Sequence, residues 1–182
     1  MSVSEEGRFA ANIKCMTDLL YELISTAYSR GHKKINPQMV TMAGVYISSI
    51  DKTVLIDTFI THTHEECWEQ IRKREDRFFI ENSSKIFGKL PIQSEQIDAF
   101  KYLFTTKDAN GPIITPEDKT AIFDIASSLV KIAIKYIHRK RCVELVEVDG
   151  KMKPRYKFNF MADIKVRDAA QKWNITLDMP QA

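Results

Sequence analysis

The chain has 182 residues, 44% of them hydrophobic and 28% charged, with a formal net charge of +3. That length and apolar content suffice for one buried core, so a single domain over residues 1–182 is the simplest organisation. No run of about 18 apolar residues occurs, because Lys131 and Lys135 interrupt the richest candidate, and a membrane-spanning helix is not expected.

The total charge hides a segregation. Residues 1–130 carry 15 Lys+Arg against 18 Asp+Glu, a net of −3, whereas residues 131–172 carry 12 against 5, a net of +7. Cys15, Cys67 and Cys142 are far apart and form no Cys-x-x-Cys pair, which points to free thiols in a reducing, cytoplasmic setting. Acidic residues in MSVSEEGRFAANIK, where an export signal carries positive charge, argue against secretion.

From Arg8 to about Arg30 the residues Phe9, Ile13, Met16, Leu20, Ile24 and Ala27 recur at spacings of three and four, predicting a helix with one apolar face. Gly31 ends it. Asn36-Pro37 then supplies a cap and a first-turn proline for a second helix through Ile50, and a short apolar helix follows from Thr53 to Ile60. Thr63-x-x-Glu66 has the form of a capping box, which predicts a long helix from near His64 to Phe87 with Trp68, Ile71, Phe78, Phe79 and Ile86 inward. Arg72 to Arg77 reads as a solvated helix face on which Glu69–Lys73 and Arg72–Asp76 are spaced for ion pairs. Glu75 is the exception: it lies between Ile71 and Phe78 on the inward stripe, either as a partly buried carboxylate with a basic partner or at the edge of the stripe.

Gly88 and Pro91 stop this helix, and Ser94 caps a short one over Glu95 to Thr105. Thr115-Pro116-Glu117-Asp118 opens a helix to about Arg141 with a cap, a first-turn proline and two carboxylates at the positive end of its dipole. Ile122, Ile125, Leu129, Ile132 and Tyr136 form one stripe on it, and Ala126, Val130, Ala133 and Ile137 an adjacent one. A helix apolar over so much of its circumference belongs at the centre of a bundle. A final helix spans Asn159 to Trp173, with Phe160, Ile164, Ala169 or Ala170, and Trp173 inward, and Thr176 to Ala182 reads as an extended tail.

Between the last two helices, residues 142–158 read as a basic β-hairpin. Asp149-Gly150 is a residue pair that suits a two-residue turn, whose central positions both need positive φ. Given that turn, Val148 pairs with Lys151, Val146 with Lys153 and Glu144 with Arg155 on one face. Leu145, Glu147, Met152, Pro154, Val143 and Tyr156 occupy the other, which is expected to lie on the bundle. Lys151, Lys153, Arg155 and Lys157 then share a cationic side, and Arg139, Lys140 and Arg141 just before it extend the same charge. Cations on an edge strand also discourage pairing between sheets, and cations at a helix C-terminus complement its dipole, so each group has a structural explanation as well. Pro154 places its strand at an edge or a bulge. A winged-helix arrangement fits poorly, because the preceding helix is too long and too apolar to present a reading face.

Other constellations are weaker. TKDANGPIITPE (Thr106 to Glu117) resembles an EF-hand calcium loop, but Thr106 replaces the first aspartate and Pro112 stands where a backbone carbonyl coordinates. His62-Thr63-His64-Glu65-Glu66-Cys67 gathers potential metal ligands without the spacing of a known site. No phosphate-binding glycine loop, nucleophile elbow or paired-carboxylate signature is present.

The run LIDTFITHTHEECWEQIRKREDRFFIENSSKIFGKLP, with SLVKIAIKYI further on, resembles uncharacterised helical proteins of large nucleocytoplasmic DNA viruses. The segments carrying the likeness are the Phe-Ile before Trp68, Phe78 to Asn82, and Ile86-Phe87 ahead of Leu90-Pro91. The resemblance implies a viral protein of the host cytoplasm or the virion, and assigns no activity.

The sequence therefore predicts a mainly α protein, a multi-helix bundle with one C-terminal β-hairpin. The expected function is that of a non-enzymatic interaction or structural protein, docking through Arg139, Lys140, Arg141, Lys151, Lys153, Arg155 and Lys157 onto an acidic protein surface or larger assembly. Nucleic acid is the alternative partner for the same surface, a degenerate EF-hand-like calcium protein is a further alternative, and no cofactor is expected.

Overall fold

The computed structural model describes residues 3–63, 66–87, 94–156 and 160–177, and within these not the side chains of 141–143, 154, 156 and 160–164. Among the described residues the chain is mainly α, with nine helices, a minimal hairpin between the seventh and eighth, and a six-residue-strand hairpin near the C-terminus.

Helix α1 (Glu5–Ser29) starts where Ser4 Oγ accepts the Gly7 N–H at 3.1 Å, three residues earlier than the apolar spacing indicates. It buries Phe9, Ile24 and Ala27, as the spacing predicts. It ends at Gly31, whose φ of +103° lets the chain reverse so that the His32 N–H reaches the Ala27 carbonyl at 3.1 Å. In α2 (Pro37–Ser49), Asn36 Oδ1 accepts the Gln38 N–H at 2.9 Å and Pro37 takes the first turn. No charged residue occurs in α2. One side lies on α1, where a Cβ on Gly44 would come within 3.2 Å of Thr17 Cγ2, and the other leaves Met42, Val45 and Tyr46 exposed. Asp51 Oδ1 then accepts the Thr53 N–H at 2.9 Å and starts α3 (Lys52–Thr63), which is turned 112° from α2. No single described helix is long and apolar enough to cross a membrane.

The segment 66–87 forms three helices, α4 (Glu66–Lys73), α5 (Asp76–Glu81) and α6 (Ser83–Phe87), where the sequence reading expects one. After α7 (Ser94–Thr105), whose first residue is Ser94 itself, strands β1 (Lys107–Asp108) and β2 (Gly111–Pro112) pair antiparallel. Helix α8 (Pro116–Cys142) begins with a reciprocal cap: the Asp118 N–H donates to Thr115 Oγ1 at 3.2 Å, and the Thr115 N–H donates to Asp118 Oδ2 at 3.0 Å. Strands β3 (Val143–Val148) and β4 (Lys151–Tyr156) follow, and α9 (Phe160–Lys172) closes the bundle. The expected helix stops at Gly88 and Pro91 lie outside the described residues, as do the side chains of Phe160 and Ile164 and residues 178–182 of the tail.

The break after α4 has a physical cause. Arg74 adopts φ +58°, a left-handed conformation that costs a non-glycine residue about 1–2 kcal/mol, and the Glu75 N–H folds back to the Gln70 carbonyl at 3.0 Å. In that position the Arg74 guanidinium reaches Asp124 of α8, while Lys119 of α8 holds Asp76 at 2.6 Å. These ties to α8 compete with helix continuation. They decide one alternative and correct one expectation: Glu75 is exposed at the break and not a partly buried carboxylate, and Asp76 pairs with Lys119 instead of Arg72. Arg72 bonds Glu69 instead, and the Glu69–Lys73 pair is present at 3.8 Å. Thr63 is no cap either. It is the last residue of α3, where its Oγ1 donates to the Phe59 carbonyl at 2.6 Å and accepts from the Trp68 indole N–H at 3.1 Å.

Helix α8 supplies the centre of the core. Its Phe123, Val130, Ala133 and Ile134 pack with Cys67, Trp68, Ile71, Ile86, Ala170 and Trp173. Leu129 and Tyr136 on the same helix pack with Phe9 and Ile56, and Tyr136 donates its hydroxyl proton to Asp57 at 2.8 Å. Burial, and then this bond to a carboxylate, push the Tyr136 phenol up to about 12. A third cluster joins Ile24, Ala27 and Ile35 to Leu103, Ile113 and Ile114.

Because Leu129 is buried between α1 and α3, Leu129→Ala should destabilise the protein by about 2–5 kcal/mol in denaturant unfolding. An unchanged midpoint would remove α8 from the centre of the core.

Candidate functional site

The predicted hairpin forms with the expected register: Val148↔Lys151, Glu147↔Met152, Val146↔Lys153, Leu145↔Pro154, Glu144↔Arg155 and Val143↔Tyr156. The turn residues Asp149 and Gly150 have φ of +53° and +73°, the two positive values that a type I′ turn requires. Side chains alternate along a strand, so Lys151, Lys153 and Arg155 share one face with Val148, Val146 and Glu144. All three cations are exposed. Arg155 meets Glu144 across the ladder at 3.1 Å, whereas Lys151 and Lys153 form no ion pair among the described residues.

The opposite face departs from the expectation. Leu145 is 65% exposed, Met152 is 62% exposed and Glu147 is exposed, so the described side chains of this face do not lie on the bundle. Among the described residues the hairpin meets the body chiefly where β3 leaves α8, and towards its tip Val148, Lys151 and Lys153 on one face and Leu145, Glu147 and Met152 on the other are exposed.

The preceding basic run divides. Arg139 turns back to the N-terminus of α1, where its Nε lies 3.1 Å from Glu5 Oε2 and its guanidinium also bonds Glu6. Those carboxylates belong to the first turn of α1 and favour its dipole, so Arg139 fastens two helix ends together. Lys140 is exposed, with its Nζ 5.7 Å from the Tyr136 ring centroid. The side chain of Arg141 and all of Lys157 lie outside the described residues. Lys140, Lys151 and Lys153 are thus exposed cations at this end, while Arg155 and Arg139, exposed as well, are engaged by Glu144 and by Glu5 and Glu6.

A second polar constellation lies at the other end of α8, and sequence reasoning missed it. Reversal of the chain at Gly31 brings His32 against α7 and the β1–β2 turn. Its Nε2 donates to Asp108 Oδ2 at 2.8 Å, and its Nδ1 shares a 2.7 Å hydrogen bond with the Tyr102 hydroxyl. Arg30 bonds the second Asp108 oxygen, which also accepts the Asn110 N–H at 2.8 Å. The His32 side chain is only 11% exposed. The hydrogen bond from His32 comes first, then those from Asn110 and Arg30, in holding the Asp108 carboxyl at about 2, below its ordinary 3.8. Asp108 occupies the third position of the calcium-like loop, but here both of its oxygens are taken by protein donors. The arrangement pins the β1–β2 turn to the C-terminus of α1 and makes the loop a fastening.

Little in the sequence announced this cluster. Arg30 and His32 precede Asp108 by more than seventy positions, and the hints were a glycine reversal followed by His32-Lys33-Lys34 and a lone aspartate in a tight turn. Near Cys67 and His62, no group of three or more His, Cys, Asp or Glu among the described residues is arranged to hold a metal ion.

The sign of the Asp108 contribution follows from its lowered value. A carboxyl held below its unfolded value contributes stability that is whole above about pH 4 and is lost as the pH falls towards 2. Asp108→Asn should therefore lower the thermal midpoint at neutral pH and flatten its dependence between about pH 4 and 2. Equal acid slopes for the two proteins would dissolve the pin. Comparison with protein-family models, curated proteins and solved structures finds no match to this chain.

Proposed function

We propose that this chain is a non-enzymatic docking protein whose helical body presents the β3–β4 hairpin to an acidic protein surface. The observation that carries the reading is the projection of the hairpin with two chemically different faces in solvent. Lys151, Lys153 and Arg155 stand on one, Leu145 and Met152 on the other. Edge protection alone accounts for cations, but it gives no reason to leave two large apolar side chains wet on the reverse face. A protein partner can answer both, with carboxylates for the lysines and apolar cover for the leucine and methionine.

Nucleic acid is the less favoured partner. A phosphate backbone satisfies the cationic face but offers nothing specific to Leu145 and Met152, and it would gain no help from Arg139, which is held by Glu5 and Glu6. Charge attraction would steer the encounter, and apolar burial would supply residence time.

Replacing both Lys151 and Lys153 with serine should leave thermal stability within about 1 kcal/mol, since exposed substitutions cost about 0.5 kcal/mol or less each. The same variant should lose the protein that co-purifies with the unmodified chain from its native source. Retained co-purification at every salt concentration would remove the docking role from the lysines. Recovery of bound nucleic acid instead of protein, released steeply by salt, would transfer the surface to the alternative partner.

A further inference from the structure

We infer that the partner is received by strand addition on the open edge of β3, as an extended segment alternating acidic and apolar residues. The inference rests on the docking role proposed above and adds its geometry.

A two-residue turn makes its flanking residues, Val148 and Lys151, exchange N–H and C=O bonds. Bonded and non-bonded pairs then alternate along the ladder, so Glu147↔Met152, Leu145↔Pro154 and Val143↔Tyr156 direct their backbone groups away from the hairpin. On β4 the central member of the outward set is Pro154, which has no N–H to offer. Its place costs the hairpin nothing and blunts the outer edge of β4. On β3 the outward set is Val143, Leu145 and Glu147, each with a donor and an acceptor. β3 and β4 form a two-stranded sheet among the described residues, which leaves this β3 edge unpaired by any strand.

The two faces specify what such a strand carries. On the cationic face its side chains stand beside Val146 and Val148, which are short. Carboxylates there can reach over the valines to Lys153 and Lys151, while Glu144 is already paired with Arg155. On the reverse face its side chains stand beside Leu145, with Met152 one strand further on, and apolar residues would cover both. Period-two alternation of acid and hydrocarbon follows, with backbone hydrogen bonds giving affinity and the two faces giving register.

The test uses the full chain and a labelled, end-capped peptide of about ten residues alternating glutamate and valine, a length within the ordinary range of strands. Its counterpart carries N-methyl groups on the valine amides, which keeps charge and side chains but removes the donors. Fluorescence anisotropy at neutral pH and low salt should show binding of the first peptide and at least about tenfold weaker binding of the second, a loss of about 1.4 kcal/mol or more. Leu145→Pro, which copies the proline of β4 onto β3 without removing a bond between the strands, should lose binding to the same extent. Leu145→Ala, which keeps the amide, should lose less. If Leu145→Pro also abolishes the nuclear Overhauser contact between the Glu147 and Met152 α-protons, the hairpin itself is damaged and the N-methyl comparison decides.

Equal binding of both peptides would overturn strand addition and leave a docking role carried by charge. Undiminished binding of the unmodified peptide to the Lys151→Ser, Lys153→Ser protein would sink the cationic reading while leaving the edge intact. No binding of either peptide overturns the inference, and so does self-association abolished by Leu145→Pro, which would give the edge to a second copy of this chain.

Discussion

A 27-residue helix that is apolar around most of its circumference cannot be covered from one side, and the rest of this molecule follows from that constraint. Helix α8 needs α1 along one flank, α4 along another and α9 on a third. Its buried residues Phe123, Leu129, Val130, Ala133, Ile134 and Tyr136 spread over nearly half of its circumference, more than one neighbouring helix can cover. The demand reaches the surface too. Arg74 and Asp76 leave the regular path of their own helix to meet Asp124 and Lys119 of α8, and the segment 66–87 bends around it.

The two ends of α8 have opposite characters. At its N-terminus the chain is fastened: Thr115 and Asp118 cap each other, and the β1–β2 turn just before them is held to α1 by Arg30, His32 and Tyr102 through Asp108. At its C-terminus Arg139 is fastened to Glu5 and Glu6. The β3–β4 hairpin lies past that point with few tertiary contacts, which is the region of a fold that opens locally at least cost. Recognition elements come from such regions because they must be accessible.

Much of this was legible in the sequence because the signals were local or periodic. The apolar stripes of α1 and α8, the caps at Asn36 and Thr115, and the Asp149-Gly150 turn each depend on residues within a few positions of one another. The register of the hairpin followed from its turn alone. The division of 66–87 was not legible, since its cause is a pair of ion pairs between segments some fifty residues apart. Thr63 misled for a related reason: its hydroxyl serves a carbonyl behind it and an indole ahead of it, a competition that a four-residue pattern does not contain. The exposed reverse face of the hairpin was also hidden, because alternation tells which residues share a face and leaves open whether anything covers it. The His32–Asp108 pin was invisible for lack of any local pattern.

Charge segregation acquires a geometry once α8 is placed. A helix of that length spans about 40 Å, and at one end stand Glu117 and Asp118, at the other Arg139, Lys140 and the lysines of β4. The peptide dipoles of α8 run the opposite way, so the side-chain charges oppose and outweigh the field of the backbone. At the C-terminal end Arg139 is offset by Glu5 and Glu6, so the excess positive charge there sits on the projecting hairpin, at Lys151 and Lys153. Charge carried on a projecting tip acts on an approaching negative surface before the body does, which favours an encounter through the hairpin without adding a single bond.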